Sequence, residues 1–342
     1  MRLHLSWLLA FTTAALALLL LGSLATGPMT LTLGESLRAL FAGQESGIES
    51  HKLLIVQEIR LPRTLLCIAV GGILGLCGAV MQGLFRNPLA DPGIIGVSGG
   101  AALGAALAIV LLAPLGQQLQ ATIGVGLLPL LAFLGGALTT TLVYLLGTRE
   151  GGTSVTVMLL AGVAITALSG AVIGLLTYLA DDQMLRNLSL WQMGTLAAGK
   201  PADVALALLT LAALLWLFMR DANPLNALLL GEGEARHLGV NVQSLKRRLI
   251  LLTAAGVGVA VAVSGMIGFV GLVVPHLVRL LAGPNHVRLL PLSALLGAAL
   301  LLAADMLART LLAPAELPVG IITALLGAPF FIWLLVKGRR AL

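Results

Sequence analysis

Residues that could do chemistry are sparse in this chain, and their spacing argues against catalysis. The five histidines, His4, His51, His237, His276 and His286, stand far apart and no H-E-x-x-H pair occurs, so a helix-borne zinc site is not encoded. The only Gly-Lys pair, Gly199 and Lys200, is followed by Pro201 where a phosphate loop requires Ser or Thr, which excludes ATP hydrolysis by that route. No G-x-S-x-G spacing that would present a serine nucleophile is expected either. Cys67 and Cys77 share one apolar run and support neither a disulfide framework nor a clustered zinc site, so both read as small core residues. No cofactor or metal is expected in the chain itself. Inside the apolar runs the main ionisable candidate is Asp305, with Arg309 four residues later on the same helix face. A proton-coupled carrier generally needs a longer relay, and the local reading of these two is an ion pair near the outer end of a helix.

The elements that must position these residues are membrane helices. Of 342 residues, 59% are hydrophobic and 10% charged, and the mean hydropathy is +1.05. A soluble domain carries roughly 25% charged residues. Apolar runs of spanning length occur near 5–25, 64–84, 94–113, 121–147, 153–180, 202–219, 247–265, 268–282, 288–311 and 318–337. They predict an all-α integral membrane protein of about ten transmembrane helices, a single permease domain over 1–342. The run at 268–282 is short and broken by Pro275, which predicts a partial or tilted helix. Residues 1–27 imitate a secretory signal, yet 5–25 is long enough to span and is expected to be retained as a first helix.

The formal charge of +6 comes from basic residues scattered at the ends of apolar runs, a pattern of membrane topology rather than nucleic-acid binding. With the N-terminus in the cytoplasm, thirteen of the 20 Lys and Arg fall inside, so both termini are expected there. Two longer polar stretches remain as places for partners: an outer one from Thr26 to Arg63 and an inner one from Arg220 to Arg248. Many of the 41 glycines lie within the runs at small-xxx-small spacing, such as Gly71 and Gly75, or Gly96, Gly100 and Gly104, which lets helix backbones approach closely. Residues 103–107 and 296–300 both read LGAAL, either an internal echo of a repeat-built transporter or a coincidence of composition.

Several blocks together form a distinctive string. They are Arg60-Leu61-Pro62-Arg63, residues 75–83 (GLCGAVMQG), 86–100 (RNPLADPGIIGVSGG), 264–276 (SGMIGFVGLVVPH), 316–320 (ELPVG) and 326–331 (LGAPFF). Over nearly its whole length the chain resembles the FecCD family of ABC importer permeases. The resemblance implies a type II importer for haem, ferric siderophores or cobalamin. In such an importer two ten-helix permeases pair with two ATP-binding cassette subunits, which carry ATP and Mg, and substrate arrives from a periplasmic binding protein. A bacterial inner-membrane location and a homodimer are implied with it. Haem is preferred over a ferric siderophore, with a cobalamin permease and a secondary transporter as the alternatives.

The resemblance also implies site residues. Arg60, Arg63 and Arg309 match the outer-surface arginines that dock the binding protein, a role suited to bidentate carboxylate pairing. Leu230, Gly231, Glu232, Glu234, Ala235, Arg236, His237, Leu238 and Gly239 fall in the inner segment 220–248 that resembles the coupling helices seated on the ATPase. Thr148, Gly151, Gly152, Thr153 and Ser154 stand where the family has its cytoplasmic gate, although as residue types they also describe a turn and helix cap. Gly162, Val163 and Thr166 are expected to line the translocation path. Residues 190–196 (LWQMGTL) resemble a segment of haem and siderophore permeases, with an interfacial anchor as the other reading of Trp191.

Overall fold

Runs of Leu, Ala, Val and Gly some twenty residues long satisfy their backbone groups without water only as helices or closed barrels, and this chain uses helices. A computed structural model describes residues 5–29, 31–41, 49–113, 126–149, 152–197 and 199–339. Ten apolar helices fall among them: α1 (Leu5–Ala25), α4 (Leu61–Leu84), α5 (Val97–Val110), α6 (Leu127–Gly147), α7 (Val155–Leu179), α9 (Pro201–Arg220), α12 (Val242–Ser264), α13 (Val270–Ala282), α14 (His286–Thr310) and α15 (Val319–Arg339). Five shorter ones lie between them: α2 (Leu33–Phe41), α3 (Ser50–Leu54), α8 (Asp182–Gln192), α10 (Ala222–Leu230) and α11 (Glu232–His237). Seven of the apolar helices are long and apolar enough to cross a bilayer, α15 has 21 residues and α5 and α13 are shorter, in agreement with about ten spans.

Side-chain caps set several boundaries. Asp181 accepts from Met184 N at the start of α8, Asn241 from Ser244 N at α12 and Asn285 from Val287 N at α14, each satisfying an amide the helix leaves free. The short α13 contains Pro275 as anticipated, and its 13 residues rise only about 20 Å. It is entered through a non-helical stretch at 265–269, whose ends Gly265 and Phe269 both have positive φ.

The polar segment from Thr26 to Arg63, expected outside, is more structured than a loop among its described residues. Helix α3 passes through a π-helical turn, Ile55–Arg60, directly into α4, giving one continuous helix from Ser50 to Leu84. Beside it Leu31, Ala39, Leu53 and Val56 form a small separate apolar cluster. A capping box starts α2, with Thr32 and Glu35 exchanging backbone-to-side-chain bonds. Lys52 Nζ reaches Glu35 at 2.9 Å.

The core centres on α4. Its apolar window is 89% buried, against 17% for α7, and it packs against α9, α12, α13 and α14. Glycine makes these crossings possible: a Cβ on Gly78 would stand 1.9 Å from Gly271 O, and one on Gly297 2.3 Å from Gly71 O. The two LGAAL strings place Gly104 against Leu131 of α6 and Gly297 against Gly71 of α4, each at a close helix pair. Helix α12 touches both α4 and α6 and so joins the α4 group to the α5–α6–α7 group.

Two local expectations change. Trp191 is 9% exposed and belongs to the main core, so it is packing rather than a lipid-interface anchor. Gly96-Val97-Ser98-Gly99-Gly100 does carry the G-x-S-x-G spacing. Its context is wrong for a nucleophile elbow, because it follows a 3₁₀ turn (Pro92–Ile95) instead of a strand and, among the described residues, no histidine lines the cavity beside Ser98.

Candidate sites at the two ends of the bundle

The C-terminal ends of α1 and α14 and the N-terminal end of α4 meet at one end of the bundle, where the three arginines converge. Arg60 closes the π turn, and its Nη1 donates to Leu24 O and Ala25 O at 2.7 and 2.8 Å while Nη2 donates to Met29 O. A cation there satisfies the orphan carbonyls that end α1 and complements the helix dipole. Arg63, one turn further on, donates from Nε and Nη2 to Asp305 at 3.0 and 2.9 Å and from Nη1 to Glu316 Oε2 at 2.7 Å. Arg309 donates to Ser23 Oγ at 2.8 Å and Thr26 O at 3.0 Å. Its Nε lies 3.0 Å from Asp305 Oδ2 as an ion contact without hydrogen-bond alignment.

These side chains are not the exposed forks anticipated. Arg60, Arg63 and Arg309 are 3%, 5% and 2% exposed and Asp305 is fully buried, because carbonyls and carboxylates of the same chain consume their donors. The i, i+4 pair of Asp305 and Arg309 is real, but Asp305 bridges two arginines rather than one. Three guanidinium groups face two carboxylates, leaving one positive charge in excess. That excess borders a cavity of about 230 Å³, whose lining includes Met29, Ile59 and all three arginines.

The opposite end holds the segment from Arg220 to Arg248, expected inside. It folds as α10 and α11, split at Gly231, whose φ of +124° lies where L side chains rarely go. Asp221 at the start of α10 holds Arg248 of α12, with Arg248 Nε 2.8 Å from Oδ2. Asn226 Oδ1 accepts from His286 N at 2.8 Å, tying α10 to α14. Leu230 and Leu238 are 67% and 64% exposed, and Glu234, Arg236, His237 and Gly239 are exposed beside them, while Gly231 and Glu232 are half-buried. Ala235 departs from the expectation of a contact residue: it is fully buried and anchors α11 to the bundle.

Between α6 and α7 the predicted gate forms a two-stranded hairpin, β1 (Thr148–Arg149) and β2 (Gly152–Thr153), with Thr148 opposite Thr153 and their hydroxyls 3.1 Å apart. Ser154 caps α7, so the turn-and-cap description also holds. Gly151 lies outside the described residues. Of the proposed path residues, Val163 and Thr166 on α7 are exposed. Gly162 is a packing position instead, since it is buried and a Cβ there would come 2.0 Å from Ile94 O.

The structure therefore joins residues that the sequence keeps apart. Arg63 and Asp305 are 242 positions distant. The hairpin and α11 meet through Gln243 and Lys246 on the first turns of α12. Thr153 N donates to Gln243 Oε1 at 3.1 Å, and Lys246 Nζ donates both to Thr153 O at 3.1 Å and to Glu232 Oε1 at 2.6 Å. In the sequence Lys246 stands at the start of the apolar run 247–265 and reads as one more basic residue at a span end. The available signal was its i, i+3 spacing from Gln243, which puts both on one helix face.

Comparison with known proteins agrees with this architecture. The FecCD transport family model matches residues 15–337. The hemin transport system permease protein HmuU of Yersinia pestis is 47% identical over 97% of this chain and 96% of its own length. The vitamin B12 import system permease protein BtuC of Shigella boydii is 42% identical over 99% and 97%. Among solved structures, an inward-facing conformation of a metal-chelate type ABC transporter superposes with a TM-score of 0.83 at 34% identity, covering 98% of this chain and 100% of that one. PsaBC from Streptococcus pneumoniae, at 20% identity, shares the fold with a TM-score of 0.58, covering 82% of this chain and 91% of that one. Ten packed apolar helices and a family match across almost their entire length make this chain a member of the FecCD transport family, a multi-pass permease of a type II ABC importer.

Proposed function

We propose that the chain forms half of a homodimeric pathway that carries an iron chelate, haem in preference to a ferric siderophore, from a periplasmic binding protein to the cytoplasm. The observation that carries haem is the 47% identity to the hemin permease of Yersinia pestis across 97% of the chain. Cobalamin is the second reading, supported by the 42% identity to the B12 permease over 99% of the chain. The membrane is the bacterial inner membrane, with both termini cytoplasmic, the arginine end outside and the α10–α11 end inside.

In this reading two ATP-binding cassette subunits hold ATP and Mg and seat against Leu230, Leu238 and the charged residues between them. Exposed apolar side chains set among charges suit a docking surface. ATP binding at the partner then supplies the differential free energy that shifts the permease between its two access states. The binding protein presents carboxylates to the cavity beside Arg60, Arg63 and Arg309, where the unbalanced positive charge favours them. The exposed faces of α7 from two copies meet around the path, with Val163 and Thr166 on its wall and the hairpins of Thr148 to Ser154 closing its inner mouth.

The test is a reconstituted complex of two permeases, two ATPases and the binding protein in liposomes, offered haem, a ferric siderophore and cobalamin separately. ATP-dependent accumulation of haem above the other two is expected. Accumulation of cobalamin without haem would replace the first reading by the second.

A further inference from the structure

The gate hairpin is tied to α12 at Thr153. Both backbone polar groups of Thr153 are committed to the first turns of α12, the amide to Gln243 and the carbonyl to Lys246. Gly152 presses on the same Gln243 side chain, so closely that a Cβ would lie 2.4 Å from Nε2, and its φ of +113° turns the strand toward it. The hairpin's position is thus set by α12. The Lys246 ammonium is not committed to the hairpin alone, since its shorter bond, 2.6 Å, goes to Glu232 on α11.

Lys246 is 3% exposed, whereas Glu232 is 36% exposed. A buried ammonium is costly unless it stays paired. If α11 withdraws, the ammonium follows Glu232 and releases Thr153 O, or stays and loses the one carboxylate paired with it among the described residues. Either way a displacement of α11 changes the free energy of the hairpin. Arg236 reaches the other oxygen of Glu232 only at 4.0 Å, with 60% of its side chain exposed, and competes weakly.

We propose that Lys246 is the joint that makes the gate hairpin respond to the ATPase-facing helix α11. It is a positioning residue, and the proposal rests on the reading that α10 and α11 meet the ATPase. A spin label at exposed Ser154, introduced as Ser154→Cys, reports the hairpin in the full complex; Cys67 and Cys77 are fully buried and do not compete for it.

With Lys246 present, a non-hydrolysable ATP analogue changes the label's mobility. Lys246→Met reduces that change roughly fivefold or more while the complex assembles and hydrolyses ATP at its usual rate, and Lys246→Arg restores it. Gln243→Leu, which removes the other tether without unpairing a buried charge, reduces the response in the same direction and serves if Lys246→Met does not fold. A full response in Lys246→Met, or in Gln243→Leu where that variant stands in, overturns the proposal, as does an assembled unsubstituted complex whose label never responds. Failure of the unsubstituted chain to bind the ATPase refutes instead the underlying reading of α10 and α11.

Discussion

The two ends of the bundle hold their charges in opposite ways. At the arginine end Asp305 bridges Arg63 and Arg309, Arg60 is wrapped by carbonyls that end α1, and all four side chains are buried. At the hairpin end one buried lysine is shared by two elements, and its carboxylate partner stands partly in solvent. A desolvated network with several bonds per group resists displacement, because any single break strands a buried charge. A single shared ammonium has two alternative partners and can be redistributed. The first arrangement suits a rigid platform and the second a moving joint.

This contrast can be broken most severely at Asp305. Asp305→Ala leaves the buried Arg309 guanidinium without its paired carboxylate and Arg63 with Glu316 alone, and is expected to cost about 3–5 kcal/mol, read as a large fall in melting temperature in detergent. Arg60→Ala takes the guanidinium donor from Ala25 O and Met29 O and leaves Leu24 O to Ser36 Oγ, and is expected to cost about 1–3 kcal/mol in the same assay. Ile59→Glu sharpens the comparison without touching the network: Ile59 is 53% exposed at the cavity and its replacement adds a like charge opposite incoming carboxylates. Affinity for the binding protein should fall about tenfold, near 1.4 kcal/mol, with melting unchanged.

Smaller effects are expected where ion pairs are exposed. The Lys52 side chain and the Thr32 backbone amide hold the Glu35 carboxyl down at about 2, below its usual 4.5. A depressed carboxyl stabilises above its unfolded value, so protection of α2 amides should persist above about pH 4.5 and fade as pH drops toward 2, followed by hydrogen exchange. Arg236→Ala removes only a 4.0 Å contact from an exposed guanidinium to the half-buried Glu232 and should change stability by less than about 0.5 kcal/mol.

The spans were legible because twenty-residue apolar runs have only one common solution in a bilayer. The break between α10 and α11 was legible too, since Gly231 supplies a backbone conformation few other residues adopt. The extension of α4 back to Ser50 was not, because Glu49, His51, Lys52, Gln57 and Glu58 interrupt the apolar pattern that marks a span. Burial of the arginines was hidden for a different reason. Arg60 and Arg63 look like interfacial charges until Leu24 of α1, Asp305 of α14 and Glu316 of the stretch before α15 are brought against them. Lys246 was obscured by having two functions at once, as a charge at a span end and as a bond to two distant segments.

The claim that one end is a fixed platform and the other a joint is tested most directly by amide hydrogen exchange on the reconstituted complex, with and without a non-hydrolysable ATP analogue. Exchange over 147–154 and 222–240 should change severalfold while 57–66 and 302–311 stay the same. Equal changes at both ends, or a change confined to the arginine end, would contradict it.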